Sequence, residues 1–361
     1  MDIRAWGPSA AAEAPRAGEE ERPAGVVVVA VAAAATAVVD IDRSENTMAK
    51  IHSIDSKNSL PRSGWLLAAA LVLGAPLLHA APKDGQRTFP TPQEAVQATI
   101  DAAEHNDTAA LLQIFGPDGK DIVESGDAAE DKDLRAEFAR SAHEKLQIDE
   151  DRLTPDRATF TVGEQEWPFP VPVIRADGKW RLDSVSGRLE ILARRIGRNE
   201  LNAMEVCRGY AEAQLEYAAA ARDGDRVLKY AQKIAATPGK RDGLYADGVP
   251  DTLVSRAFAA AANPAGGGKS EPYHGYYYRV LKSQGPDAAG GAVDYVVNGK
   301  MIGGFALIAW PAEYGVSGIR TLLINHEGVV YEKDLGAATG VQARQMTRFN
   351  PDKSWRPVVL E

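Results

Sequence analysis

Between Pro272 and Gly336 aromatic and β-branched residues crowd together and are cut at short intervals by Gly, Asn and Pro. The stretch holds Tyr273-His274-Gly275-Tyr276-Tyr277-Tyr278-Arg279-Val280-Leu281, then Met301 to Gly315, then Gly318 to Gly336. Residues suited to a pleated surface, separated by residues that reverse the chain, specify a meander of antiparallel strands. Strand side chains alternate, so Tyr276, Tyr278 and Val280 fall on one face of the first strand and Tyr277, Arg279 and Leu281 on the other. Asn298-Gly299 is a two-residue hairpin signal joining a strand over 292–297 to one starting at Met301. His326-Glu327-Gly328 joins a strand over 321–325 to one over 329–333.

Upstream of the meander the periodicity is helical. The longest such region is 187–221, with a break expected at Gly197, and in it Leu201, Met204, Cys207, Tyr210, Gln214 and Tyr217 recur every three or four residues as a core-facing stripe. This predicts a buried Cys207. Further helices are expected over 227–236, stopped by Thr237-Pro238-Gly239, and over 252–262, stopped by Asn263-Pro264. The tail from Gln342 to Trp355 adds a short helix and a polar end.

The preceding hundred residues combine helices and a second sheet. Thr91-Pro92-Gln93-Glu94 is a complete helix start, and Val96, Thr99, Ile100 and Ala103 form its apolar stripe. A second helix is capped by Asp107 and stopped by Gly116-Pro117; residues 118–133 read as a solvated acidic loop leading to a helix over 134–146. Strands are expected over 158–162 and 180–185, the second preceded by a turn at Ala176-Asp177-Gly178-Lys179. In Trp167-Pro168-Phe169-Pro170-Val171-Pro172-Val173 the prolines delete donors along one edge, which makes a protected edge strand. The fold class is therefore α+β: N-terminal helices with a curved antiparallel sheet, like the cystatin-like or nuclear-transport-factor-like cone, then a C-terminal helix with an antiparallel β meander.

The chain has 361 residues, 45% apolar and 25% charged, which is ordinary globular composition and a prior for two domains. We divide it into an extension over 1–47, a signal peptide over 48–81, an α+β domain over 82–190 and a helical and β-meander domain over 191–361. A net charge of −9 with no Lys/Arg cluster argues against a nucleic-acid partner. Lys50, Lys57 and Arg62 lead into an apolar run from Trp65 to Leu78 and a small-residue exit at His79-Ala80-Ala81, the form of an export signal with cleavage near Ala81. The protein is thus expected to be periplasmic or secreted, touching a membrane only through an uncleaved signal or the apolar segment Val26 to Val39. Residues 1–47 place acids where an exported chain has bases, so Met48 is the expected start and 1–47 a gene-start artefact. With Cys207 as the single cysteine, no intrachain disulfide supports the exported fold.

Trp167-Pro168-Phe169-Pro170, Ile196-Gly197-Arg198-Asn199-Glu200-Leu201, Tyr273 to Leu281, Gly303 to Gly315 and Asn325 to Gly336 together resemble the exported bacterial proteins of the domain-of-unknown-function 2950 family, over about Arg87 to Trp355. The resemblance implies an envelope location and carries over no catalytic residue. The order of elements after Asn199, with Gly275-Tyr276-Tyr277, Trp310-Pro311 and Gly318-Ile319-Arg320, also resembles the globular heads of pilins and pseudopilins. The apolar helix by which pilins assemble does not precede Asn199, so a soluble module that resembles or docks onto such heads is implied rather than a filament subunit.

No constellation specifies a reaction, a cofactor or a metal. Gly266-Gly267-Gly268-Lys269-Ser270 lacks the first glycine and the strand of a phosphate-binding loop and reads as a linker. His143-Glu144 and His326-Glu327 lack a second histidine four residues on, and Gly315-Val316-Ser317-Gly318 lacks nucleophile-elbow spacing. Asp223-Gly224-Asp225 opens like a calcium loop but has Ile234 at the twelfth position. The one group expected to converge is His274, Tyr276, Tyr278, Arg279, Glu313, Tyr314 and His326, read either as a recognition surface or as tyrosines packing the sheet onto the helix around Cys207. Two functions follow. The first is a non-enzymatic envelope interaction or assembly module whose partner is an envelope protein. The alternative is a periplasmic hydrolase or small-ligand binder, with Trp167, Phe169 and Trp180 lining a pocket in the first domain.

Overall fold

The computed structural model describes residues 85–150, 153–221, 226–249, 251–262 and 271–358. The expectations for residues 1–47 and the signal at 48–81, together with Asp223-Gly224-Asp225 and Gly266 to Ser270, lie outside the described residues. The architecture is α+β, and the chain divides into two compact units between Ile191 and Leu192.

In the first unit helices α1 (Pro92–Glu104), α2 (Thr108–Phe115), α3 (Lys120–Val123) and α4 (Ala128–Glu144) precede strands β1 (Leu146–Glu150), β2 (Arg157–Val162), β3 (Trp167–Pro168), β4 (Val173–Ala176) and β5 (Lys179–Leu182). Thr91 Oγ1 accepts from the Glu94 amide at 3.2 Å and Pro92 opens α1; Asp107 Oδ1 accepts from the Ala110 amide at 2.9 Å. The sheet is antiparallel in the order β1-β2-β4-β5, with β3 also on β2. Val96, Ile100, Phe115, Phe138, Phe160 and Leu182 form its core with the helices. The Phe169 amide donates to Phe160 O at 2.8 Å, so the start of the proline-rich stretch pairs with β2; its end is not the protected edge expected, because the Asp183 amide donates to Pro172 O at 2.8 Å and Val173 enters β4 between β2 and β5.

Two expectations here are corrected. Residues 118–133 are not a solvated loop: Ile122 and Val123 are buried, and α4 starts at Ala128, capped by Asp127, whose side chain accepts from the Ala129 and Glu130 amides. Buried Arg135 explains the difference, because it donates to Val123 O at 2.8 Å, Asn106 Oδ1 at 2.7 Å and Thr108 Oγ1 at 2.8 Å and draws the acidic segment inward. The helix also ends at Glu144, and Leu146 begins a strand rather than a last turn.

Helix α5 (Ser184–Ala218) runs unbroken for 35 residues through Gly197, where a side chain would meet nothing within 4 Å. An isolated glycine costs a helix about 1 kcal/mol, too little to break one held by packing. Cys207, Tyr210, Gln214 and Tyr217 are buried as expected, but Leu201 is 55% exposed. The inward stripe instead continues N-terminally through Ala203 to Asn199.

The second unit then contains α6 (Arg256–Ala261), β6 (Tyr276–Leu281), β7 (Ser283–Gln284), β8 (Val293–Asp294), β9 (Val296–Val297), β10 (Lys300–Met301), β11 (Ala306–Pro311), β12 (Arg320–Asn325), β13 (Val330–Asp334), α7 (Thr339–Gln345) and β14 (Arg356–Pro357). Residues 227–236 are not helical. Gln214, inside the core, grips the backbone of Ala231 with both ends of its amide at 2.8 Å, and the Tyr230 amide donates to Met301 O at 2.8 Å. Tertiary hydrogen bonds therefore override helix propensity in this segment.

The main sheet is antiparallel in the order β14-β13-β12-β11-β6, with Asn298-Gly299 turning β9 into β10 at φ +50° and +77°. Tyr276 and Tyr278 share a core with Cys207, Tyr210 and Phe258, and the Phe258 and Tyr278 rings meet edge to face at 5.1 Å. From the other face Arg279 reaches α7, donating to Ala343 O at 2.7 Å, Arg344 O at 2.9 Å and Met346 O. Burial on both faces explains the unbroken apolar run of β11, every residue of which is buried.

Candidate functional site

The seven residues expected to converge do not form one surface. Tyr276 and Tyr278 are fully buried; their hydroxyls donate to Arg320 O at 2.9 Å and Tyr273 O at 3.3 Å. Arg279 lies on the opposite face, where its guanidinium caps the carbonyl end of α7. His326 follows β12, at the end of the sheet where Asn325, Ala306 and Leu281 pair. His274, Glu313 and Tyr314 lie at the other end, about 17 Å away along β6.

That second end is where a site is built. The Ala312 amide donates to Gly275 O at 2.9 Å, tying the turn before β6 to the loop after β11. Three polar residues from one turn of α5 then fasten both. Asn199 Nδ2 donates to Ser317 O at 2.9 Å, and Glu200 Oε1 accepts from the amides of Ile319 and Arg320 at 2.9 and 3.0 Å. Asn202 Nδ2 lies 3.4 Å from His274 Nδ1, and Ser317 Oγ accepts from the Glu313 amide at 3.0 Å. Gly275 adopts φ +75°, and a Cβ there would sit 2.6 Å from Asn199 Nδ2. Gly318 has no room for a side chain because the Tyr276 ring occupies the space.

On the same helical face Arg195 and Arg198, three residues apart, stand beside this frame. Both are half-buried, and neither makes a hydrogen bond or an ion pair within 4 Å among the described residues; the Nε of Arg195 is buried with no partner. Burial pushes both guanidinium pKa values down; Arg195 lowers that of Arg198 further, while Glu313 partly supports Arg195. Burial, and next the charge of Arg198, lower the His274 pKa and so favour its neutral ring. The arrangement is a rigid polar frame beside two poorly compensated positive charges, suited to holding a negative group.

Nothing in the sequence marks Arg195 or Asn202 as site residues. Arg198 to Glu200 do stand in a recognisable block and Ser317 in the rejected elbow, but neither pattern assigns them a role, because a stripe phased on Leu201 leaves a polar residue such as Asn199 outside the expected core. The pocket expected at Trp167, Phe169 and Trp180 is filled. Phe169 stacks on Phe160 at 4.5 Å and lies 5.1 Å from Phe138, and Trp180 is buried against Arg175 at 5.6 Å. The cavity that Phe169 does line, with Thr99, Phe115 and Arg135, is about 10 Å³, room for one water. His143 pairs with Glu104 at 3.2 Å on the surface, and His326 is exposed in its turn. Among the described residues no three His, Cys, Asp or Glu side chains are grouped to hold a metal, and no helix is long and apolar enough to cross a membrane.

No curated protein and no solved structure matches the chain. A family model described as protein of unknown function (DUF2950) matches residues 86–358, a range that includes every residue of the frame around Asn199. The match spans most of the sequence, and the chain belongs to the DUF2950 family.

Proposed function

We propose that the protein is an exported, non-enzymatic envelope module that binds another envelope protein through the end of the C-terminal sheet framed by Asn199, Glu200 and Asn202. The observation that carries this reading is the half-buried pair Arg195 and Arg198, neither of which makes a hydrogen bond or close ion pair among the described residues, with the Nε of Arg195 buried and unpaired and Glu313 offsetting part of its charge. Charges held in that state cost stability, and recognition is a reason to keep them. A small-ligand role for the first unit draws less support, because the cavity beside Phe169 has room for one water. The order of elements, a long helix followed by an antiparallel meander, supports the comparison with pilin heads and makes such a head a reasonable partner.

A photo-cross-linking residue at exposed Leu201 tests the interaction in living cells. The reading predicts a reproducible adduct with one envelope protein, lost when Arg195→Glu and Arg198→Glu are combined. Recovery of the protein without adducts from Leu201 and from Tyr314 alike would remove its basis. The address is tested separately by sequencing the N-terminus of the exported protein, which is expected near Ala81. A chain that keeps Gly64 to Ala81 and stays with the membrane fraction contradicts cleavage.

A further inference from the structure

We infer that Arg195 and Arg198 form a binding site for a single carboxylate, presented by an acidic side chain or chain end of the protein partner. Arg195 and Arg198 project from the same face of α5, as residues three apart on a helix do, with their side chains about 5–6 Å apart at Cβ. The backbone around them is fixed. Asn199, four residues from Arg195, is bonded to Ser317 O, and Asn202, four residues from Arg198, lies against His274. The guanidinium groups therefore stand on a preorganised platform, which lowers the cost of ordering them on binding.

Buried donors in folded proteins are nearly always satisfied, and the unpaired Nε of Arg195 is an exception; it is closed off, so a ligand would meet the terminal nitrogens of the two guanidiniums, which no described residue bonds. A guanidinium presents its donors as a planar fork that matches two oxygens of one carboxylate. Charge selects among oxyanions. Glu313 offsets part of the charge of Arg195, so the pair keeps a net positive charge to be met. Glu200 does not meet it, because its carboxylate is held by the Ile319 and Arg320 amides and lies two residues from Arg198, off its face of the helix. A monoanion neutralises the pair, whereas a phosphate dianion would leave a net negative charge beside Glu313.

This inference deepens the interaction reading and rests on it for the source of the carboxylate, but the site is testable without a partner. Full-length protein labelled at arginine is titrated with acetate, with inorganic phosphate and with chloride at constant ionic strength, and the Nε–H resonances of Arg195 and Arg198 are followed. Acetate is expected to shift both resonances saturably, and Arg198→Lys, which keeps charge but loses the fork, to abolish saturation. Glu313→Gln alters only an exposed side chain, so its folding is not at risk, and it is expected to lower the acetate midpoint about threefold to fivefold. The site is overturned if acetate gives no saturable shift, if chloride shifts both resonances equally, or if Glu313→Gln leaves the midpoint unchanged. Phosphate saturating at lower concentration than acetate would overturn the carboxylate assignment. Acetate binding without any cross-linked partner would leave the site standing and remove the interaction reading; the reverse pattern would do the opposite.

Discussion

Gly275 sits at φ +75° against Asn199, so Gly275→Ala adds both backbone strain and a close contact in the frame. It should lower stability by about 1–3 kcal/mol, read from the denaturant midpoint; an unchanged midpoint would mean that the turn before β6 is free to shift. Tyr276 separates two roles at one position. Tyr276→Phe removes only the hydroxyl that donates to Arg320 O and should cost about 1 kcal/mol. Tyr276→Ala empties a fully buried site and should cost about 3–5 kcal/mol. Arg279→Ala should cost about 1.5–3 kcal/mol, because carbonyls at the end of α7 lose a charged donor. Equal stability of Tyr276→Ala and wild type would favour the recognition role for this tyrosine over the packing role.

At the scale of elements α5 organises the second unit, and its buried thiol provides a pH test. Burial pushes Cys207 from its ordinary 9.0 up to about 12. Above pH 9 the unfolded chain releases this proton while the folded chain keeps it. The contribution is thus complete below pH 9 and is lost as pH rises towards 12, at about 1.4 kcal/mol per pH unit. Cys207→Ala should therefore show a shallower loss of stability across that window than wild type; identical slopes would mean that the thiol is exposed. The capped starts of α1 and α2 and the Asn298-Gly299 hairpin were legible because each is a local signal written in two to four adjacent residues. The segment 227–236 was not, because its conformation is dictated by tertiary bonds to Gln214 and Met301, outside the window that local periodicity reads. The site was half legible for the same reason: Arg198-Asn199-Glu200 stood out as a block, but its partners Ser317, Ile319 and Arg320 lie more than a hundred residues away.

Across the whole molecule the two units differ in what they leave unresolved energetically. In the first, buried Arg135 has three oxygen partners and the core beside it is filled. In the second, Arg195 and Arg198 remain half-buried without such partners. If these charges are held for recognition, their removal should relieve the fold. The most direct test is the unfolding midpoint of the double variant Arg195→Met, Arg198→Met, which keeps the apolar stems and deletes both charges. The double variant is expected to be more stable than wild type by about 0.5–2 kcal/mol, the gain typical of removing a functional residue that strains its surroundings. A variant less stable than wild type would show that the two arginines hold the fold together, and would contradict a recognition role for the site.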